Sequence, residues 1–243
     1  MEATLRAGVL KCLLECTKDL WTSANIVFRD DGMHLQAMDS SHVALASLTL
    51  TPAAFSLFCC PKQATLGINF DSLSTVLRNC ATEDQIKFEF VVDSDHITIL
   101  RGEERQWELK LLDIEEERMS IPDQRYDVSA TIPSSEFQKC LRDLKDLSGE
   151  TVIISVSEGC VACSVDGHIG RGTASTKDGV NTHGEMDSKC SYPLKYLSAF
   201  AKGSSLCPMV RMRMGKETPM CLTYDVQGHG SLEFYLAPRI EDD

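Results

Sequence analysis

Apolar residues recur at helical spacing near the start of the chain, and strand-like patterns follow them. One face of a helix would carry Leu10, Leu13, Leu14, Thr17 and Trp21, which is the spacing of an amphipathic helix. Residues 26–28 form a short apolar run, residues 29–32 resemble a turn, and residues 33–39 alternate between apolar and polar side chains. The pattern predicts a helix followed by two strands that a turn connects.

The same order of elements returns in the second half of the chain. When the sequence is shifted by 127 residues, each predicted element of the first half aligns with an element of the same kind in the second half. Gly32 then aligns with Gly159, and Asp39 aligns with Asp166. A helix-start signal at residues 133–136 precedes an apolar face made of Phe137, Cys140, Leu141 and Leu144. Agreement in order, spacing and turn glycine indicates an internal duplication.

The rest of each half also corresponds. Apolar positions at helical spacing in residues 70–80 match those in residues 192–202, and the alternating run 86–90 matches 210–214. The sequence therefore predicts an α+β fold of two similar domains, each with two helices packed on antiparallel sheets. The first domain spans residues 1–112, an acidic connector spans residues 113–126, and the second domain spans residues 127–243.

Composition restricts the class of protein. Of 243 residues, 43% are hydrophobic and 25% are charged, as in a soluble globular protein. No apolar run reaches the roughly 20 residues of a membrane span, and the first residues do not have the pattern of a signal peptide. The eleven cysteines are odd in number and lie mostly among apolar neighbours, so we expect reduced thiols that pack as small hydrophobic groups.

Three stretches have residues that catalysis or metal binding could use. Residues 39–42, Asp-Ser-Ser-His, hold the residue types of a hydrolase triad, but neighbours on an extended chain point to opposite faces. Cys160 and Cys163 have the spacing of a redox or zinc motif, yet an odd separation on a strand also puts them on opposite faces. The glycines at 167, 170 and 172 lack the lysine of a phosphate loop and favour a turn or an edge strand. We predict a protein that is not an enzyme, without catalytic residues, cofactor or metal.

Positive charge is concentrated in the predicted helices. Residues 8–20, 70–80, 134–147 and 192–202 hold eight basic and six acidic residues, although the whole chain has a net charge of −12. Any single helix lysine is more often merely solvated, but a concentration on all four helices favours a function. If the helices share a surface, it would attract phosphates through backbone contacts without sequence readout.

Two longer stretches carry a family resemblance. Residues 35–45, LQAMDSSHVAL, and residues 235–240, YLAPRI, closely resemble the proliferating cell nuclear antigen family of eukaryotic DNA sliding clamps, and the likeness continues through residues 111–113 and 121–122. The resemblance implies a homotrimeric ring in the nucleus whose helices line a hole for double-stranded DNA. Such a ring tethers DNA polymerase and other replication and repair proteins as a processivity factor, and an ATP-driven clamp loader opens it.

The resemblance also implies functional residues. The positions that face DNA in the family fall here on Lys11, Lys18, Arg78, Lys139, Arg142 and Lys202. Cys12 and Thr75 stand where many vertebrate members have basic residues, so we expect a less positive hole. The family's pocket for a partner peptide falls on Met38, His42, Val43, Leu45, Met119, Ile121, Pro122, Tyr126, Pro219, Tyr235, Leu236, Ala237 and Pro238. An ordinary core position remains the alternative for Val43 and Leu45.

Subunit contacts and departures from the family follow from the same comparison. Family subunits pair a strand that corresponds to residues 105–110 with one around residues 169–175. The interface positions are Arg78, Trp107, Leu109, Lys139, Ile169 and Gly172. The segment 178–190 is shorter than in the family, and the usual ubiquitin-acceptor lysine has no counterpart near residues 157–159. Two rival classes stay open here: a checkpoint-clamp subunit of a mixed ring, and a thiol or serine hydrolase.

Overall fold

The computed structural model of the chain describes residues 1–18, 21–115, 124–184, 188–216 and 218–239. The chain folds into two compact units. The first comprises Met1–Asp39, Ala46–Met119 and Asp225–Leu232, and the second comprises Ser40–Leu45, Ser120–Tyr224 and Glu233–Asp243. Each unit therefore includes a segment that lies far away in the sequence.

The first half of the chain contributes nine strands and two α-helices among its described residues. Their bounds are β1 Glu2–Arg6, α1 Ala7–Thr17, β2 Ser23–Arg29, β3 Gly32–Met38, β4 Ala44–Leu50, β5 Leu57–Cys59, β6 Ala64–Asn69, α2 Phe70–Leu77, β7 Gln85–Glu89, β8 His96–Arg101 and β9 Arg105–Lys110. One five-stranded sheet has the order β5-β1-β7-β8-β9, and other strands follow the order β4-β3-β2-β6.

The second half has the same kinds of element. Their bounds are β10 Val128–Pro133, α3 Ser134–Lys145, β11 Thr151–Ser157, β12 Cys160–Asp166, β13 Arg171–Thr176, β14 Asn181–Gly184, β15 Ser188–Pro193, α4 Leu194–Phe200, β16 Met209–Met214, β17 Met220–Asp225 and β18 Gly230–Leu236. One sheet has the order β13-β12-β11-β15, and other strands follow the order β14-β10-β16-β17-β18. Two α-helices on antiparallel strands in each half confirm the predicted α+β class.

Buried apolar faces explain the packing within each unit. In the first unit α1 packs on α2, and Phe28 and Phe70 are each only 2% exposed. In the second unit the rings of Phe200 and Phe234 stack with centroids 4.2 Å apart, and Tyr224 meets Phe234 edge-on. Such aromatic pairs add to the free energy of folding beyond their buried area. No described helix is long and apolar enough to cross a membrane.

The two glycines that the duplication matches lie at turns. Gly32 has φ 136° and Gly159 has φ 61°, a region that favours glycine. At Gly32 a Cβ atom would also lie 2.0 Å from the Leu50 carbonyl oxygen. Both the backbone conformation and this close contact therefore exclude a side chain at position 32. The glycine-rich stretch is a turn, as predicted: the N–H of Gly167 donates to the Gly170 carbonyl at 3.0 Å, and β13 begins after it.

The cysteines are thiols rather than disulfides. Cys160 and Cys163 lie on β12, where Cys163 is buried and Cys160 is half-exposed. This difference agrees with the prediction that an odd spacing puts the two thiols on opposite faces of the strand. Burial raises the pKa of the Cys163 thiol to about 12, so this sulfur stays protonated and unreactive at neutral pH.

Candidate functional site

Three of the predicted DNA-facing residues line one groove of the first unit. This groove of about 210 Å³ lies between α1 and α2 and is lined by Lys11, Leu14, Glu15, Lys18, Ser74, Leu77 and Arg78. Lys18 and Arg78 follow directly after the two helices and are exposed. Basic groups at helix C-termini are stabilised by the helix dipole.

Lys11 also forms hydrogen bonds within the first unit. Its Nζ donates to the carbonyl oxygens of Arg78 and Cys80, just after α2. The lysine therefore satisfies backbone acceptors at the end of a helix, and it is only half-exposed. Of the three basic groups, Lys18 and Arg78 remain more accessible to an external phosphate.

The second unit presents exposed basic side chains on α3. The side chains of Lys139 and Arg142 are 56% and 74% exposed. Their ion pairs are long: Lys139 Nζ is 3.9 Å from Glu136, and Arg142 Nε is 4.0 Å from Asp143. Exposed pairs of this kind contribute little to stability, so both cations can exchange partners with a phosphate. Lys202 lies in the 3-10 turn after α4 and is half-exposed.

A larger basic groove of the second unit was not among the sequence predictions. It has a volume of about 540 Å³, and its lining includes Lys145, Lys195 and Arg239. Lys145 and Lys195 lie on helices already predicted to be basic, so the charge pattern could have indicated them. Arg239 comes from the C-terminal segment, where its N–H donates to the Ser191 carbonyl at 2.7 Å, and nothing in the local sequence indicates this contact.

Nine described residues of the predicted pocket belong to the second unit. The N–H of Ala237 donates to the Val43 carbonyl at 3.0 Å, which joins the two signature stretches. The half-exposed residues of this set are Val43, Tyr126, Pro219, Tyr235, Ala237 and Pro238, and His42 is exposed with φ 57°. Leu45 and Leu236 are only 6% and 1% exposed, so they belong to the buried core.

Other predicted pocket residues cannot be placed with this group. Met38 belongs to the first unit, where it is half-exposed at the end of β3. Met119, Ile121 and Pro122 lie outside the described residues.

The two pocket tyrosines are neutral at physiological pH. Burial raises the pKa of Tyr126 to about 12. Burial and a hydrogen bond to Glu233 raise the pKa of Tyr235 as well. A neutral phenol combines an apolar ring with a polar hydroxyl, which suits a contact with a peptide.

The two predicted interface strands are both edge strands. β9 is the last strand of the five-stranded sheet, and β13 is the last strand of the four-stranded one. Ile169, just before β13, is 74% exposed, while Trp107 and Leu109 on β9 are half-exposed. Gly172 has a role inside its unit, since a Cβ atom there would lie 2.6 Å from Leu147 Cδ1. Edge strands leave backbone N–H and C=O groups available to another strand.

The residues of the triad-like stretch differ in burial. Asp39 is 6% exposed at the end of β3, whereas Ser41 and His42 are exposed. Across the described residues, no group of three or more His, Cys, Asp or Glu side chains could hold a metal ion.

Known proteins match the chain over almost its full length. The family model of the proliferating cell nuclear antigen N-terminal domain matches residues 1–124, and the model of the C-terminal domain matches residues 120–239. Proliferating cell nuclear antigen of Chaetomium thermophilum is 35% identical over 258 residues, covering 100% of this chain and 99% of that protein. The crystal structure of the corresponding protein from Entamoeba histolytica has a TM-score of 0.92 at 28% identity and covers 98% of each chain.

The two-domain α+β fold, the basic helices and these matches define a DNA sliding clamp, a processivity factor and not an enzyme. The chain belongs to the proliferating cell nuclear antigen family. It therefore binds DNA, DNA polymerase and other replication and repair partners, and it assembles with copies of itself. Membership confirms the family resemblance, the fold class and the absence of enzymatic activity predicted from the sequence, and it removes the hydrolase alternative.

Proposed function

We propose that three copies of the chain form a closed ring around double-stranded DNA by pairing β9 of one subunit with β13 of the next. The observation that carries this proposal is that both strands are sheet edges. Ile169 beside β13 and Trp107 on β9 add apolar area that pairing would bury. A closed ring leaves neither edge exposed, which removes an aggregation hazard.

Within this ring we assign DNA contact to the six basic positions on and after the helices. Lys18, Arg78, Lys139 and Arg142 are the more accessible members, and Lys11 and Lys202 are half-buried. Contacts to phosphates alone are weak and salt-sensitive. A ring that is held by its topology needs no tighter contact, and tighter contact would slow sliding.

The proposed DNA contacts can be tested by removing the four more accessible basic residues together. Protein with Lys18, Arg78, Lys139 and Arg142 all changed to Ala should bind a short DNA duplex at least about tenfold more weakly at low salt, with a shallower dependence of affinity on salt. The matched control changes Lys62, Lys177, Lys189 and Lys216, which are exposed and lie outside the helices, to Ala. Fluorescence anisotropy gives both affinities, and an equal loss in the two proteins would mean that net charge alone matters.

The apolar surface around Val43, Tyr126, Pro219, Tyr235 and Ala237 receives, in this proposal, the amphipathic motif peptide of polymerases and other partners. These side chains are half-exposed and apolar or aromatic, and buried aromatic anchors account for much of the energy of such interfaces. A clamp loader would use the same kind of peptide contact and open the ring with ATP. We further propose a nuclear location, which a role in replication supports.

A further inference from the structure

A polar network lies beneath the two tyrosines of the proposed peptide pocket. It joins side chains of three neighbouring strands, β16, β17 and β18, with a residue that precedes β10. Arg213 lies opposite Cys221 in the strand register, and its side chain is 32% exposed beside Glu233 at 26%. Both side chains are partly buried, where an unpaired charge is more costly than at the open surface.

Arg213 is the donor at the centre of this network. Its Nη2 donates to Cys221 Sγ at 3.0 Å, to Glu233 Oε1 at 3.3 Å and to Thr223 Oγ1 at 3.4 Å. The guanidinium carbon also lies 5.0 Å from the centroid of the Tyr126 ring, within the range of a cation–π contact. One side chain thus binds the acid of β18 and supports the ring of a pocket residue.

Glu233 connects this arginine to the second tyrosine. Its Oε1 accepts from Arg213 and from Thr223, while its Oε2 accepts from the Tyr235 hydroxyl at 2.7 Å. A chain of contacts therefore runs from the Tyr126 ring through Arg213 and Glu233 to the Tyr235 hydroxyl.

The hydrogen bond to Glu233 also fixes the polarity of the Tyr235 hydroxyl. A hydroxyl has one proton to donate and two lone pairs that accept. Because its proton is directed to the carboxylate, the oxygen can only accept from a ligand. A peptide group that meets this oxygen must then be an N–H or O–H donor.

A redox or catalytic role of the network would depend on the Cys221 thiol. Burial is the largest effect on the Cys221 thiol and raises its pKa, and the residue is 0% exposed. A buried, protonated thiol is a poor nucleophile, so a redox or catalytic centre is excluded. What remains is the orientation of the two tyrosines.

We propose that Arg213 and Glu233 are positioning residues of the partner pocket, which hold the ring of Tyr126 and the hydroxyl of Tyr235 so that a peptide offering a hydrogen-bond donor is selected. This inference rests on the proposed function, in which the two tyrosines form part of the peptide pocket. It assigns specificity to two side chains that are not themselves among the predicted pocket residues.

The first test replaces the arginine in the full-length protein. Arg213→Met removes the positive charge and the planar guanidinium group. We expect it to weaken binding of a synthetic clamp-binding motif peptide about tenfold, because it removes a cation–π contact and disturbs an ion pair. Arg211→Met is the matched control, since Arg211 lies on the same strand and face but is exposed. Its affinity should stay within about twofold, as measured by isothermal titration calorimetry.

A conservative variant covers the case in which Arg213→Met does not fold. Arg213→Lys keeps the charge opposite Glu233 but cannot reproduce the flat guanidinium over Tyr126, and we expect about threefold weaker binding with a cooperative melting transition. Wild-type affinity in either folded variant would overturn the inference, and so would a loss in Arg211→Met equal to that in Arg213→Met.

A double-mutant cycle separates positioning from general stability. Tyr235→Phe and Glu233→Gln should each weaken peptide binding about fivefold. If the two residues act together, the double variant should bind at least about threefold more tightly than the product of the two single effects predicts. A merely structural role of Glu233 gives losses that multiply, which contradicts the proposal.

A variant outside the network separates this inference from the proposed pocket. Val43→Asp combined with Ala237→Asp should abolish peptide binding. If it does so while Arg213→Met binds normally, the pocket stands and only the positioning role fails. If the Val43 and Ala237 variant binds normally, the pocket is wrong and the inference falls with it.

Discussion

Protein that carries Ile169→Asp and Trp107→Ala is expected to be a monomer of 26.9 kDa, whereas the unsubstituted chain should have a mass of three times 26.9 kDa, about 81 kDa. Ile169 is 74% exposed in the single chain, so its substitution costs the subunit little. In the ring, the change removes apolar area worth about 1.5–3 kcal/mol for the isoleucine alone and places a carboxylate where strands pair. Each ring contains three such contacts, which multiplies the effect. Size-exclusion chromatography with light scattering measures both masses.

A matched control distinguishes the interface from general surface hydrophobicity. Val91→Asp with Leu57→Ala changes two exposed apolar side chains elsewhere, at 76% and 44% exposure, and should leave the mass near 81 kDa, three times 26.9 kDa. A doubly substituted Ile169 and Trp107 protein that stays trimeric would show that β9 and β13 do not form the interface. A monomer from the unsubstituted chain would instead revive the rival class, a checkpoint-clamp subunit that needs different partners.

Val43→Asp with Ala237→Asp should weaken binding of a motif peptide by more than about a hundredfold. Two carboxylates would lie in the centre of an apolar surface, and each would have to lose its hydration when the peptide binds, at a cost of several kcal/mol. The backbone hydrogen bond between these residues does not involve the side chains, so the local fold should persist. Calorimetry with the unsubstituted protein as reference gives the affinity ratio.

The control for this pocket variant introduces the same charge elsewhere. Val91→Asp with Val92→Asp also adds two carboxylates, at side chains that are 76% and 55% exposed, and it should bind the peptide normally. Peptide affinity that falls equally in both proteins would point to charge repulsion from an already acidic chain rather than to a local pocket.

The repeating parts of this molecule were predictable because they follow local rules. Helical spacing at Leu10, Leu13 and Leu14 predicts α1, and alternation in residues 33–39 predicts β3. The turn glycines at 32 and 159 were predictable for the same reason, since a positive φ is a property of one residue and its neighbours.

Features that depend on long-range contacts were not predictable from the sequence. The sequence assigns Lys11 to DNA, but the end of α2 already uses its ammonium group as a hydrogen-bond donor. Arg213 and Glu233 are twenty residues apart with no shared periodicity, and only the pairing of three strands brings them together.

We expect the protein to be held on DNA by a closed ring rather than by affinity for the duplex. The most direct measurement is retention of labelled protein on circular DNA, after loading by a clamp loader with ATP, before and after one cut linearises the circle. A ring should remain on the closed circle in salt that abolishes phosphate contacts and slide off once the DNA has ends. Equal retention on circular and linear DNA would mean that the protein is held by affinity and not by a closed ring.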